Sequence, residues 1–376
     1  MTVTHLAMVA AVLLTVSGCQ SQGPRYTALL GVTAPFSGTD ESVGRSIQGA
    51  VQLAVDDRNA RGGAGGYNGA ILALDDGNTA DMAARRAGVM VPNVDVIAVL
   101  GGFDIGAAQA AAANYGNANV PFLTLSGAEP LRSSAAQPVF RLVATDSDAG
   151  RLAGQFATAR LGARRVAILS DSAAGLDTLG DAFAAAVQAG GASIVQRARV
   201  ERPQADFADT IRQVGAASPD LIFFAGRAVE AGEFLKQARL AGIGATFLGG
   251  PGVDDARFVQ TAGPAAQSAY YVSMGFPLAR AGDAALRQQL SQAVAGQDGP
   301  YTALAYDATS VLLDAVARAV KAARFPTRPA VAAALRTTKL TGVTGDISFD
   351  DQGNRRNPPL GIYVIRSDSY PGELVH

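Results

Sequence analysis

Two histidines, one cysteine and no tryptophan occur among the 376 residues, and the histidines, His5 and His376, stand at the two ends. A Ser-His-Asp or Cys-His nucleophilic site needs an interior imidazole to take the proton, and a structural zinc site needs several thiolate or imidazole ligands. Neither can be assembled from this inventory. One cysteine also excludes an internal disulfide, so an exported form must stand on its core alone. Charge of one sign is equally scarce: 31 Lys+Arg face 32 Asp+Glu, a net of −1. There is no basic field for tracking a phosphate backbone, and nucleic acid is not an expected partner.

Long apolar runs are missing as well. The stretch Leu6 to Val16 is far shorter than the roughly 20 residues a spanning helix takes, and no later segment is long enough. Followed by Ser17, Gly18 and Cys19, it has the shape of a signal peptide, although Met1 to His5 carries no Lys or Arg. Val16-Ser17-Gly18-Cys19 resembles a bacterial lipoprotein box, in which the cysteine sulfur is acylated and becomes the new first residue. The expectation is a signal peptide over 1–18, lipid on Cys19, and a polar tether over 19–24.

Sequence signatures of catalysis are absent too: no Gly-x-x-x-x-Gly-Lys-Ser/Thr phosphate loop, no Gly-x-Ser-x-Gly elbow, no Gly-x-Gly-x-x-Gly after the first strand. The run Gly62-Gly63-Ala64-Gly65-Gly66 follows a helix, not a strand. Four adjacent acidic pairs remain as acid/base candidates: Asp56-Asp57, Asp75-Asp76, Asp254-Asp255 and Asp350-Asp351. Sequence neighbours generally point apart and turns favour aspartate, so all four read as solvated loop ends. No enzyme, cofactor or metal site is expected.

What the chain has is ample apolar content, 48% hydrophobic against 17% charged, and a length that suggests about two domains. Apolar runs of four to seven residues alternate with longer Ala-rich stretches of helical spacing, the pattern of an α/β fold with mostly parallel sheets flanked by helices. Strands are predicted at 28–32, 71–74, 94–100, 122–125, 166–169, 193–197, 221–224, 246–248 and 269–272. Ile47, Ala50, Val51, Ala54 and Val55 recur at helical spacing, and Gly62-Gly63 ends that helix where a left-handed residue is cheap. Further helices are predicted near 149–161, 178–189 and 228–241. The strand–helix rhythm stops near 272, helices take over from 284 to 336, and short strands return at 345–349 and 361–365.

Several segments in order carry a family resemblance. Leu30-Gly31-Val32-Thr33-Ala34-Pro35-Phe36-Ser37-Gly38, Asn59-Ala60-Arg61-Gly62-Gly63, Asp75-Asp76-Gly77-Asn78 and Val99-Leu100-Gly101-Gly102 come first. Val120 to Ala128, Phe140-Arg141 to Asp146, Asp206-Phe207, Pro219 to Gly226 and Tyr301 to Ala308 follow. Together they resemble the branched-chain amino-acid (Leu/Ile/Val) binding proteins of ABC transporters. The resemblance implies a type 1 periplasmic-binding-protein fold: two α/β lobes, three hinge crossings, and a ligand held in the cleft by hinge closure. Carried onto this chain, lobe one is 25–142 plus 274–346 and lobe two is 143–273 plus 347–376.

The resemblance also implies which loops line the cleft, namely those at the carboxyl ends of strands. They offer Phe36 and Ser37; Phe103, Asp104 and Ile105; Ser126, Gly127, Ala128 and Glu129; Asp171 to Gly175; Arg227; and Gly250 to Asp254. Phe36 and Phe103 would supply apolar walls, while Tyr301 and Tyr306 read as packing residues. The hydroxyls that hold an amino acid's carboxylate are missing at Asp104-Ile105-Gly106-Ala107, and Glu129 stands where such members often carry threonine. Arg227, where an aromatic is frequent, could clamp an anionic group bidentately, or else lie at the surface or pair with Glu230 or Glu129.

The expected function is ligand capture without chemistry: a monomeric extracytoplasmic lipoprotein on the periplasmic side of the envelope, handing a small polar or carboxylate-bearing molecule to a membrane permease. The alternative is an envelope lipoprotein of the same fold that regulates a partner protein, as penicillin-binding-protein activators do.

Overall fold

The computed structural model describes residues 26–131, 136–171, 176–201, 203–367 and 369–376. Cys19, the apolar run before it, the tether up to residue 24 and the loop residues 172–175 lie outside them.

The first sheet is five-stranded and wholly parallel. Its strands are β1 (Thr27–Ala34), β2 (Asn68–Asp75), β3 (Val96–Gly101), β4 (Phe122–Thr124) and β5 (Val139–Arg141), in the order β2-β1-β3-β4-β5. The second sheet takes β6 (Arg165–Asp171), β7 (Ser193–Val200), β8 (Leu221–Ala225), β9 (Thr246–Gly249) and β10 (Tyr270–Ser273). After a two-stranded hairpin of β11 (Leu340–Gly342) and β12 (Gly345–Ile347), the chain adds β13 (Gly361–Val364) and β14 (Glu373–Leu374) to that sheet. Its order is β14-β13-β10-β9-β8-β6-β7, with the last two strands antiparallel.

Parallel neighbours need crossovers, and helices supply them. They are α1 (Glu41–Ala60), α2 (Ala80–Met90) and α3 (Ile105–Asn117) in the first block, then α4 (Asp146–Ala159), α5 (Leu176–Ala189), α6 (Ala208–Ala217), α7 (Ala228–Leu240) and α8 (Ala256–Ala262). Both faces of each sheet are therefore covered. All six residues of β3 and all five of β8 are buried, which is why these strands read as unbroken apolar runs instead of alternating ones.

The late helices α9 (Ala284–Ala293), α10 (Thr302–Ala323) and α11 (Arg328–Arg336) return to the first lobe. The buried face of α1, Ile47, Ala50, Val51, Ala54 and Val55, packs on α10, and α11 contacts β3. Gly49 lets α1 approach α9 closely, since a Cβ there would lie 2.4 Å from the Ala293 carbonyl oxygen. Past α1, Gly62 and Gly63 hold φ of 100° and 79°, the left-handed conformation expected of a helix-ending glycine.

The chain passes between sheets three times: after β5, after β10 and after β12. The first and third passages lie side by side, with Arg141 N–H donating to the Gly353 carbonyl (2.9 Å) and Arg355 N–H to the Arg141 carbonyl (2.9 Å). Arg141 also donates through Nε to the Ser126 carbonyl (3.0 Å) and through Nη1 to Asn354 Oδ1 (3.1 Å). One guanidinium thus ties together the end of β4 and two crossings.

The structure differs from the sequence expectations in several places. The third strand begins at Val96, not Val94, because Asn93 Oδ1 accepts from Asp95 N–H and turns the chain, leaving Val94 exposed. The three-residue strand β5 and the two-residue β14 carry too little pattern to be read locally. In two of the acidic pairs one member is not solvated. Asp76 is fully buried and burial pushes its carboxyl up to about 6, while Asp254 is buried beneath two hydroxyl donors.

Candidate functional site

The loops at the carboxyl ends of the strands meet where the two lobes face each other. On the lobe-one side, the chain leaving β1 is pinned by Asp75 at the end of β2. Its Oδ1 accepts from Phe36 N–H (2.9 Å) and its Oδ2 from Ser37 Oγ (2.5 Å), so Ser37 is committed within lobe one and Phe36 is only half-buried. Gly44 is required for the same turn, since a Cβ there would sit 1.9 Å from the Pro35 carbonyl oxygen.

That loop delivers Asp40, buried just before α1. Asn78 Nδ2 donates to its Oδ2 (2.8 Å). The loop after β3 delivers Phe103 and Asp104. Asp104 caps α3 by accepting from Gly106 N–H through Oδ1 (3.0 Å), and its second oxygen is left facing the other lobe. Ile105 follows as the half-buried first residue of α3 and makes no polar side-chain contact.

Lobe two answers with two arginines. Arg227, immediately before α7, donates through Nη1 to Asp40 Oδ2 (2.6 Å) and through Nη2 to Asp104 Oδ2. Arg257 on α8 donates through Nη1 to Asp40 Oδ1 (2.9 Å) and to the Thr39 carbonyl (2.8 Å). Its Nε and Nη2 are held by Asp255 on its own lobe (3.0 and 2.6 Å). Burial alone would raise the Asp40 carboxyl, but Arg227, Asn78 and Arg257 outweigh it and hold Asp40 below its ordinary value. Arg227 moves the opposite way for the same reason: Asp104 and Asp40 overcome its burial and hold its proton more tightly.

Beside this cluster, Phe103 packs edge-on against Tyr301 at the start of α10, with ring centres 6.1 Å apart. The loop after β4 is occupied with its own structure. Ser126 Oγ accepts from Ala128 N–H (3.3 Å), and the Ser126 and Ala128 carbonyls take the Arg141 guanidinium. Gly127 abuts Asp146, the first residue of α4: its carbonyl accepts from Asp146 N–H (2.9 Å), and a Cβ on it would lie 2.3 Å from Asp146 Oδ1. Asp146 Oδ2 is buried without a hydrogen-bond partner, and burial raises that carboxyl to about 7. Glu129 reaches across to lobe two, where its Oε2 accepts from Ser147 N–H (3.0 Å) in the first turn of α4.

Of the residues expected at the cleft, Phe103, Asp104 and Arg227 are brought together, and Glu129 joins the lobes at the hinge side. Gly250 is buried in lobe two, its N–H given to the Phe224 carbonyl (2.9 Å). Asp254 is turned into the same lobe: Ser273 Oγ and Tyr370 Oη donate to it, the latter at 2.8 Å, and burial lifts its carboxyl to about 7. Asp40, Arg257 and Asp146 were not among the expected residues. Nothing local marks Asp40 or Arg257, and the Phe140 to Asp146 segment stood out only as a crossing.

A cavity of about 400 Å³ opens beside the Arg257 end of this cluster. Ser42, Val43, Ser46 and Tyr301 line it from lobe one, and Arg257 and Tyr370 from lobe two. Its size is within the range of small-molecule sites. Among the described residues, no group of three or more His, Cys, Asp or Glu is placed to hold a metal ion. No helix among them is long and apolar enough to cross a membrane.

Comparison with known proteins agrees with this architecture. The chain is 24% identical over 352 residues to the leucine-, isoleucine-, valine-, threonine- and alanine-binding protein of Pseudomonas aeruginosa, covering 93% of this chain and 92% of that one. Its structure is similar to the Streptococcus pneumoniae branched-chain amino-acid transporter substrate-binding protein LivJ, solved with isoleucine (TM-score 0.78, 26% identity, 93% and 99% of the two chains). It also shares its fold with an ABC-transporter solute-binding protein of R. palustris solved with benzoate (TM-score 0.77, 20% identity, 93% and 95%). The family model described as periplasmic binding protein matches residues 28–369. The chain therefore belongs to the periplasmic binding protein family and resembles, within it, the branched-chain amino-acid (type 1) members.

Proposed function

We propose that this protein is the extracytoplasmic solute-binding component of an ABC-type importer. It captures a small polar or carboxylate-bearing molecule between its lobes by hinge closure and presents it to a membrane permease. The observation that carries this reading is the meeting of Arg227 with Asp40 and Asp104: side chains from opposite lobes converge at the strand ends, where a small molecule would touch both lobes at once. Arg227 gives one Nη to each of two aspartates, which orients its guanidinium at the junction of the lobes, where a ligand carboxylate would compete with them for it. The relatives solved with isoleucine and with benzoate both hold carboxylate-bearing molecules, which supports the same class.

In this reading lobe one comprises 25–142 with 274–346, lobe two 143–273 with 347–376, and Cys19 carries the lipid that tethers a monomer to the envelope. The protein performs no chemistry. A second reading is favoured by one observation: both Nη atoms of Arg227 are engaged by the protein's own Asp40 and Asp104, as suits an envelope lipoprotein that regulates a partner protein. A thermal-shift screen against amino acids, small aliphatic and aromatic acids, sugars and peptides separates the two. A binder at about 100 times its Kd adds roughly 2.7 kcal/mol and is expected among the carboxylates. No hit across the whole set would overturn the importer reading in favour of the regulator.

A further inference from the structure

The charges facing each other across the cleft are segregated by lobe. Lobe one presents Asp40 and Asp104, and lobe two presents Arg227 and Arg257. Asp40 is the hub, taking one arginine on each oxygen and Asn78 as a third donor. These side chains are only 10–28% exposed while the lobes meet, so they hold defined geometry, and opening would release all four charges into solvent where salt screens them and favours separation. Asp40 and Arg227 are separated by 187 residues and stand on opposite lobes, so moving the lobes apart would break the contact.

We propose that these ion pairs form a latch: the protein closes its cleft on its own charges, with Asp40 as the residue that holds lobe two in place. Closure then does not require a ligand. Ligand selects between states only through its different affinity for the open and latched forms. An anionic ligand reaches Arg227 only by displacing Asp40 or Asp104 from it, so the two carboxylates set which anions are accepted. Deepening the solute-binding reading in this way leaves the latch testable by itself, because lobe separation is measurable with no ligand added.

The test is small-angle scattering of the purified protein without added ligand, at low ionic strength and at about 1 M NaCl, where the screening length falls to roughly 3 Å. The latch predicts a radius of gyration near the roughly 20 Å of a compact chain of this size at low salt, rising at high salt. Asp40→Asn, checked for native helix content by circular dichroism, is expected to show the larger radius already at low salt, with Asp104→Asn between it and the parent. A parent protein that is expanded at low salt overturns the proposal, as does one whose radius ignores salt. A folded Asp40→Asn as compact as the parent overturns it too. Should that variant fail to fold, the salt series on the unaltered protein still decides. A negative ligand screen would leave the latch standing, and an open, salt-indifferent protein that binds ligand would remove the latch alone.

Discussion

Asp40 and Asp254 are each 8% exposed, yet they are held in opposite states. Asp40, at the meeting of the lobes, is surrounded by two guanidiniums and an amide donor and stays ionised below the ordinary carboxylate range. Asp254, inside lobe two, has among the described residues the hydroxyls of Ser273 and Tyr370 as its side-chain partners, and burial raises it to about 7. Similar solvent exposure therefore does not decide ionisation: Asp254 lies deeper and has no cationic partner to offset its desolvation, whereas Asp40 has two. The two regions are built for different tasks, one to attract the opposite lobe and the other to knit β10 to the C-terminal segment.

Removing the hub tests the first half of this contrast. Asp40→Ala strands two partly buried guanidiniums and is expected to lower stability by on the order of 3 kcal/mol, read from denaturant unfolding. The effect should vanish at acid pH. A lowered carboxyl contributes stability that is present above its unfolded value of 3.8 and is lost as pH falls through the folded value. The parent's advantage should shrink as pH falls below 3.8 and on through the lowered folded value.

Asp254 carries the opposite sign. A carboxyl raised to about 7 binds its proton in the folded state while the unfolded chain has already released it. Its contribution is fully present below 3.8 and is lost as pH climbs through about 7, at up to roughly 1.4 kcal/mol per pH unit. Asp254→Asn keeps the shape without the titration. It is expected to flatten the stability profile between pH 4 and 7 by about 2 kcal/mol, measured as melting temperature against pH. A profile unchanged by the substitution would show that the group titrates normally.

These two aspartates also mark how far sequence reasoning reaches. Strands such as β3 and β8 were visible because both faces are buried and every residue is apolar, a signal confined to five or six neighbours. Arg227 and Asp104 were each singled out, but the pairing between them spans 123 residues and depends on how two lobes close. Nothing in Gly38-Thr39-Asp40 distinguishes a hub from a turn. The aspartate of Gly250 to Asp254 was placed at the cleft by its position after a strand, whereas Ser273 and Tyr370, contributed from far along the chain, turn it inward. Local pattern encodes burial, and long-range packing chooses the partner.

Tyr370→Phe sharpens the contrast by changing one donor. The phenolic O–H donates to Asp254 Oδ1 at 2.8 Å, and losing it leaves Ser273 as the side-chain donor to that carboxyl among the described residues. The expected loss is about 1 kcal/mol, larger above pH 7 than below it, because the ionised form needs the donor more. Equal losses at pH 5 and pH 8 would show that the ring's packing, not its hydroxyl, matters.

The smallest effect is expected where charge is plentiful and water is close. Arg212 and Asp209 pair one turn apart on α6, with side chains 75% and 82% exposed. Their attraction is screened by solvent and opposed by the entropy of ordering two free side chains, so Arg212→Ala should change stability by less than about 0.5 kcal/mol. It removes the same guanidinium-to-aspartate contact that Asp40 makes twice. If its effect approached that of Asp40→Ala, the distinction between the cleft and the surface would rest on ion pairing alone, and enclosure between the lobes would count for nothing. A near-zero value in the same unfolding assay places the difference in the environment, where two lobes exclude water from charges that neither lobe buries by itself.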